Sequence, residues 1–372
     1  MKFSCNRDIL LDAIMTASRA AAVRSPLPVL EGLLIEAGNR ISITGYDLKK
    51  GIFTSIDANI EEKGAIVIMA RLLGEIVRSL PEGEVTVTTG SGNSCRIVCD
   101  SADFNIIGMD ASDFPELPAV DSVGSVKIPQ NTIKKMINET LFAVSDNESR
   151  PIYTGSLFEI TENELTIVSV DGYRLALRRE PVDVSEAAEF IVPGIALSEL
   201  EKICSDSDEM VMINLGSKHI SFSIDETVLI SRRLEGEFMD YKKSVPSEFE
   251  TVVVADRATL VQIVDRVSLV IDDRTKNPLR LIFDDDQIRF SCLTPRGKAE
   301  DLCSCSGSGG GLEIGFSNRY LRDALKAAPS ERLRIMLNTG TSPCVIKPEE
   351  GESFQYMILP VRLRADGISF SG

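Results

Sequence analysis

Three stretches of this chain decide its fold by being alike: Asn6-Arg7-Asp8-Ile9-Leu10-Leu11-Asp12-Ala13-Ile14-Met15, Pro129-Gln130-Asn131-Thr132-Ile133-Lys134-Lys135-Met136-Ile137, and Asp256-Arg257-Ala258-Thr259-Leu260-Val261-Gln262-Ile263-Val264. Each opens on a polar or turn residue and then runs at helical spacing. Over 6–22 the residues Ile9, Leu10, Ile14 and Met15 fall on one face; over 129–143, Ile133, Met136, Ile137 and Leu141; over 256–271, Leu260, Ile263, Val264 and Val267. That is the period of helices buried along one side. The starts at 6, 129 and 256 lie 123 and 127 residues apart. A second helical series, 70–81, 193–205 and 317–329, has starts separated by 123 and 124. Two series with one period imply three similar units.

Between the two helices of each unit, alternating residues flank a polar turn: 32–36 with 41–44, 156–160 with 165–168, and 279–283 with 288–291. These are hairpin patterns. Further strands follow the second helix, as at 84–88, and linkers are expected at 113–118 and 237–242. The expected fold is α+β, with three repeated domains at 1–120, 121–245 and 246–372, each two helices packed on β-sheet.

Composition narrows the function. The chain has 372 residues, 40 Lys and Arg against 56 Asp and Glu, and a net charge of −16. No run approaches the ~18 apolar residues of a membrane span. Met1-Lys2-Phe3-Ser4-Cys5 lacks the basic flank and apolar core of a signal peptide, so a cytoplasmic protein with no membrane partner is expected. Eight cysteines are too sparse for a disulfide framework. The close pairs Cys95/Cys99 and Cys303/Cys305 lack the spacing and the His of a zinc site. The one His, His219, stands in an alternating stretch, which excludes any mechanism needing two. The glycine-rich 306–311 lacks the Gly-Lys-Ser/Thr ending of a phosphate loop and reads as a flexible connection into the helix at Ser317. Asp284-Asp285-Asp286 reads as a hairpin turn. No metal, cofactor or catalytic residue is expected.

Charge is unevenly distributed. The six helical stretches carry twelve Lys and Arg against nine Asp and Glu, +3 in all, which leaves −19 on the rest. Solvated helix faces alone would explain this. The acidic balance argues against holding nucleic acid by bulk attraction, though not against local patches. If the helices lined a ring at ~10 Å each, six would leave ~9 Å free and twelve ~28 Å, enough for a duplex. A ring, if formed, would need two chains.

Short motifs run the length of the chain in a fixed order: Met1-Lys2-Phe3, Leu27-Pro28-Val29-Leu30, Asp113-Phe114-Pro115, Arg150-Pro151-Ile152-Tyr153, Val170-Asp171-Gly172-Tyr173-Arg174-Leu175-Ala176, and Tyr356-Met357-Ile358-Leu359-Pro360-Val361-Arg362-Leu363. With the threefold repeat, the sequence resembles the bacterial sliding clamp family, the β subunits of DNA polymerase III. The resemblance implies a head-to-tail homodimeric ring, helices inward, that encircles duplex DNA without sequence preference. It implies loading by an ATP-driven clamp loader and tethering of the replicative polymerase, with other polymerases and repair proteins docking through clamp-binding peptides.

The resemblance also implies residues. One wall of a peptide pocket between the second and third domains would be Tyr153, Val170, Gly172, Tyr173, Arg174 and Leu175. The other side would come from Met239, Lys243, Ser244, Tyr320, Thr341 and Pro343, with the C-terminal run Met357, Ile358, Leu359, Pro360, Val361, Arg362 and Leu363. Read alone, Asp171-Gly172 is a hairpin turn before a half-buried strand, which is compatible. DNA contacts would fall at Arg24, Arg71, Asn147 and Arg150. At the ring seam Phe104 and Ile106 would meet Leu269 and Val270. Val170 stands where the family usually has Thr, Met239 where it often has Pro, and Lys243 where Arg is common. The tail 364–372 runs past the end of many members and is expected to be mobile, with Phe370 able to fold back into the slot. Two rival readings remain at this point: a repeat-built scaffold that never encloses DNA, and a carboxylate-based hydrolase, for which no motif supplies a paired cleft.

Overall fold

A computed structural model describes residues 1–182, 187–272 and 277–363, the side chains of 122 and 123 excepted. The tail with Phe370 lies outside the described residues.

The helices are α1 (Arg7–Ser18), α2 (Ala70–Ser79), α3 (Gln130–Thr140), α4 (Gly194–Ile203), α5 (Tyr241–Ser244), α6 (Arg257–Val267) and α7 (Asn318–Ala327). All but α5 lie inside the segments their periodicity marks. Their starts have local causes. Asn6 caps α1 by accepting the N–H of Asp8 at 2.8 Å, Asp256 caps α6 through the N–H of Thr259 at 2.7 Å, and Ser317 caps α7; each satisfies a donor that the first turn leaves open. α6 buries Leu260, Ile263, Val264 and Val267, as its spacing predicts. α1 differs: it buries Leu10, Ala13, Ile14 and Ala17, while Ile9 and Met15 stay exposed at 51% and 37%. Ala13 and Ala17 carry little hydrophobic signal, yet their small side chains let the helix lie close on its sheet. α5 begins in the expected linker and runs two residues past it, and the buried ring of Tyr241 pins this one helical turn.

The chain forms two compact units, Met1–Lys134 with Ile195–Arg233, and Lys135–Gly194 with the chain from Leu234 onward. In the first, a five-stranded and an eight-stranded sheet assemble; in the second, one twelve-stranded sheet. The expected hairpins form: Gly32–Ala37 with Ile41–Tyr46, Gly155–Ile160 with Glu164–Val170, and Leu279–Phe283 with Gln287–Thr294. Both units also contain a junction that local pattern did not mark. In the first unit Lys50–Ile56 pairs antiparallel with Thr227–Arg232, Ile52 opposite Leu229. In the second, Arg174–Pro181 pairs with Phe354–Ile358, Leu175 opposite Met357. One sheet thus continues from repeat to repeat.

The glycine-rich stretch is not a loose connection. Ser306 to Ser308 completes strand Gly297–Ser308, and Leu312–Phe316 is a strand of its own before α7. The carboxylate of Asp285 accepts the N–H groups of Gly309 and Gly310 at 2.9 and 3.4 Å, and these bonds hold its pKa below the usual carboxylate range. The acidic turn is a clasp for the glycine loop. His219 begins the strand His219–Ile224. All eight cysteines are free, and burial pushes Cys5, Cys95 and Cys303 up to about 11. No helix among the described residues is long and apolar enough to cross a membrane.

Candidate peptide-binding site

The junction in the second unit sorts the expected pocket residues by strand alternation. Val170 and Leu175 stand opposite one another, and Leu175 opposite Met357, so all three point to one face. There they join an apolar cluster with Leu157, Leu177, Phe238 and Tyr241, edged by half-buried Tyr153, Met239, Val245 and Phe249. The ring of Tyr153 meets that of Phe238 edge-on at 5.9 Å. Arg174 and Ile358, one residue along each strand, point to the other face; there Ile358 belongs to the core on which Tyr320 packs.

Arg174 is only 4% exposed. Its Nε lies 2.8 Å from Asp171 and an Nη 2.7 Å from Asp323 of α7, while the guanidinium stands over the Tyr320 ring at 4.5 Å. A buried cation is tolerated because two carboxylates and a π-face replace its water. Asp171 also accepts the N–H groups of Tyr173 and Arg174, at 2.9 and 3.0 Å, which closes the turn. Gly172 sits at φ +93, a conformation side chains disfavour. The turn presents Tyr173, 61% exposed, stacked on Tyr320 at 6.1 Å. The C-terminal run is held against this edge. Leu359 donates its N–H to the Tyr173 carbonyl at 2.8 Å, and Val361 donates to Gly315 at 2.8 Å. A Cβ on Gly315 would come within 2.6 Å of the Val361 carbonyl oxygen, so only glycine lets the run lie this close.

The remaining pocket candidates sit less centrally. Lys243 and Ser244 are exposed on α5, and Lys243 pairs with Asp240 at 2.6 Å. Cys344 is opposite Ile358, which brings half-buried Pro343, and the exposed loop residue Thr341, to the Leu359 end. Leu359, Pro360 and Leu363 are half-buried; Val361 and Arg362 are exposed. Sequence reasoning missed Phe238, Val245 and Phe249, although apolar residues in a polar linker were a usable signal. Asp323 had no such signal, being 149 residues from Arg174. A separate cavity of about 450 Å³ opens further along the same strands, lined by Glu159, Glu164, Thr166, Arg179, Tyr241 and Lys242. Tyr241 donates its hydroxyl to Glu159, and burial together with that carboxylate pushes its phenol pKa up.

Three family models cover the chain in order: the N-terminal domain of the DNA polymerase III beta subunit over 1–118, its central domain over 127–240, and its C-terminal domain over 242–362. The chain belongs to the DNA polymerase III beta subunit family. It is similar to the beta sliding clamp of Staphylococcus aureus strain N315, at 32% identity over 374 aligned residues, 97% of this chain and 99% of that protein. Among solved structures it resembles a putative DNA polymerase III beta subunit from Eubacterium rectale, with TM-score 0.93 and 34% identity over 97% and 99% of the two chains. The DNA polymerase sliding clamp of Bacillus subtilis gives TM-score 0.93 at 30% identity, over 98% and 100%. The fold is therefore the α+β clamp fold of three repeated domains, and the chain is a sliding clamp, an accessory subunit without catalysis.

The other residues carried over from the clamp family are placed as follows. Arg24 and Arg71 belong to the first unit, Asn147 and Arg150 to the second. Arg24, Asn147 and Arg150 are exposed in loops, and Arg71 pairs with Glu75 at 2.9 Å on α2. Phe104 and Ile106 lie on Ala102–Ile107, the last strand of the five-stranded sheet. Leu269 is 81% exposed in the turn Ser268–Val270, and Val270 packs on the core beneath it.

Proposed function

We propose that the chain works as a homodimeric ring that encircles duplex DNA and tethers the replicative polymerase, the clamp loader and other DNA-processing proteins through the slot at the second junction. The domains are 1–120, 121–245 and 246–372, and the setting is the cytoplasm. The reading is carried by the three family domains in order on a chain whose sheets run on from repeat to repeat. Attachment is topological, so a chain of net charge −16 needs only weak phosphate contacts, for which Arg24, Arg71, Asn147 and Arg150 are the candidates. Phe104, Ile106, Leu269 and Val270 form the seam between copies.

The slot takes a short peptide by its apolar side chains. Tyr153, Val170, Leu175, Met239 and Met357 supply the apolar surface, Tyr173 and Tyr320 an aromatic edge, and the run from Leu359 to Leu363 the opposite lip, with Ile358 anchoring that run in the core on the other face and Gly172 shaping the turn. Arg174 positions that lip from behind. Lys243, Ser244, Thr341 and Pro343 form the rim. The test is fluorescence anisotropy of a labelled peptide with a Gln and a Leu-Phe end. Micromolar binding that weakens at least tenfold in Val361→Asp and in Tyr153→Ala, both partly exposed positions, is expected. Equal binding by both variants would overturn the slot.

A further inference from the structure

The sheet face that forms the floor of the slot does not stop at its apolar residues. Strand register lays that face out in rows. Val170, Leu175 and Met357 form the row at the slot, and Ile191, Leu157, Val168 and Leu177 form the next, all in one apolar cluster. The row after that is Glu189, Glu159, Thr166 and Arg179, opposite one another on four neighbouring strands. Alternation keeps this polar row on the face of the slot. All four of its residues line the cavity of about 450 Å³. Tyr241 is common to both places: it is buried in the apolar cluster, and its hydroxyl donates to Glu159 at the cavity. Slot and cavity therefore adjoin on one continuous face.

Charge in the cavity is unbalanced. Glu189 and Glu159 stand directly opposite, where like charges repel. Glu159 is answered by the Tyr241 hydroxyl and by the Lys242 ammonium at 3.1 Å. Glu164 accepts from the Thr166 hydroxyl at 3.1 Å and lies 3.7 Å from the Arg179 guanidinium. Glu189 is exposed and has no hydrogen bond or ion pair among the described residues. Three carboxylates against two cations leave one negative charge over, and Glu189 is the carboxylate without a counter-ion.

We propose that the cavity takes the side chain of an arginine or lysine on the peptide docked in the slot, its cationic head beside Glu189. The inference rests on the slot reading and deepens it, adding a charged determinant to an apolar one. A single cation brings the cavity to neutrality, whereas an anion would double its charge. The volume is ample for one long side chain. Reach is set by the strands: the row at Val170 and the row at Thr166 are four residues apart, about 13 Å at ~3.3 Å each. An extended peptide covers that distance in about four residues, so the basic residue stands within that span of the apolar anchors.

Fluorescence anisotropy tests this with labelled peptides that share the Gln and the Leu-Phe end and differ in one flanking residue, arginine or alanine. That residue is placed in turn at each of the four positions beyond either end, at about 0.15 M salt, where attraction beyond ~8 Å is screened. One placement should bind wild-type protein about fivefold tighter with arginine than with alanine, the upper range for a partly exposed ion pair. In Glu189→Gln that advantage should largely disappear, and in Glu189→Lys it should reverse. Glu189 is exposed on Ala188–Pro193, the end strand of the twelve-stranded sheet, and the alanine peptide measured on each variant is that variant's own reference. An advantage equal at every placement, or one that Glu189→Gln leaves intact, is general attraction to an acidic chain; either result, or no advantage anywhere, overturns the cavity and leaves the slot standing. Alanine peptides that fail to bind the wild-type protein overturn the slot reading and this inference with it.

Discussion

Arg174 shows how much rests on one side chain. Its partners include Asp171 of the turn, Asp323 and the Tyr320 ring of α7, and the Phe142 ring. Removing it strands two carboxylates in a poorly solvated place. Arg174→Ala should cost about 3–5 kcal/mol of stability in urea unfolding, as other broken buried ion pairs do. Arg174→Lys should recover only part, because a point charge cannot reach both carboxylates and lie flat on the ring. A loss below about 1 kcal/mol for Arg174→Ala would contradict this role. The resemblance set Arg174 on the wall of the expected pocket, and the structure buries it there. Burial was illegible because it depends on Asp323, which only the folded sheet brings near.

At the scale of elements, the six long helices were legible because each combines a polar start with a one-sided apolar stripe, and the hairpins because alternation is equally local. The junctions were not. Lys50–Ile56 and Thr227–Arg232 are far apart in sequence, and hydrogen bonds between distant backbones leave no mark on side-chain pattern. α5 was missed for the opposite reason: one helical turn is too short to have a period. The caps carry a measurable share of helix stability. Asp256→Ala should cost ~1 kcal/mol at pH 7. The bonds from Thr259 hold the Asp256 carboxyl below its usual pKa. Its stabilisation is thus present above the unfolded-state value of ~4 and lost as pH falls through the lower folded value. Thermal unfolding of both proteins should show a gap at pH 7 that closes as the pH falls through the folded-state value. A gap that persists at acid pH would mean the carboxylate is not the cap.

For the whole molecule, the repeat does more than set three domains. Within each unit a strand junction carries the sheet from one repeat to the next, and on the proposed reading a second copy closes the ring. On that reading closure would replace affinity for an acidic protein on DNA, and the slots would raise the local concentration of docked partners. The central claim is closure by two chains, and small-angle X-ray scattering of the purified protein tests it most directly. The account predicts twice the chain mass of 40.6 kDa, with the pair-distance distribution of a hollow ring. A particle of single-chain mass at micromolar concentration, or a dimer with no central opening, would contradict it.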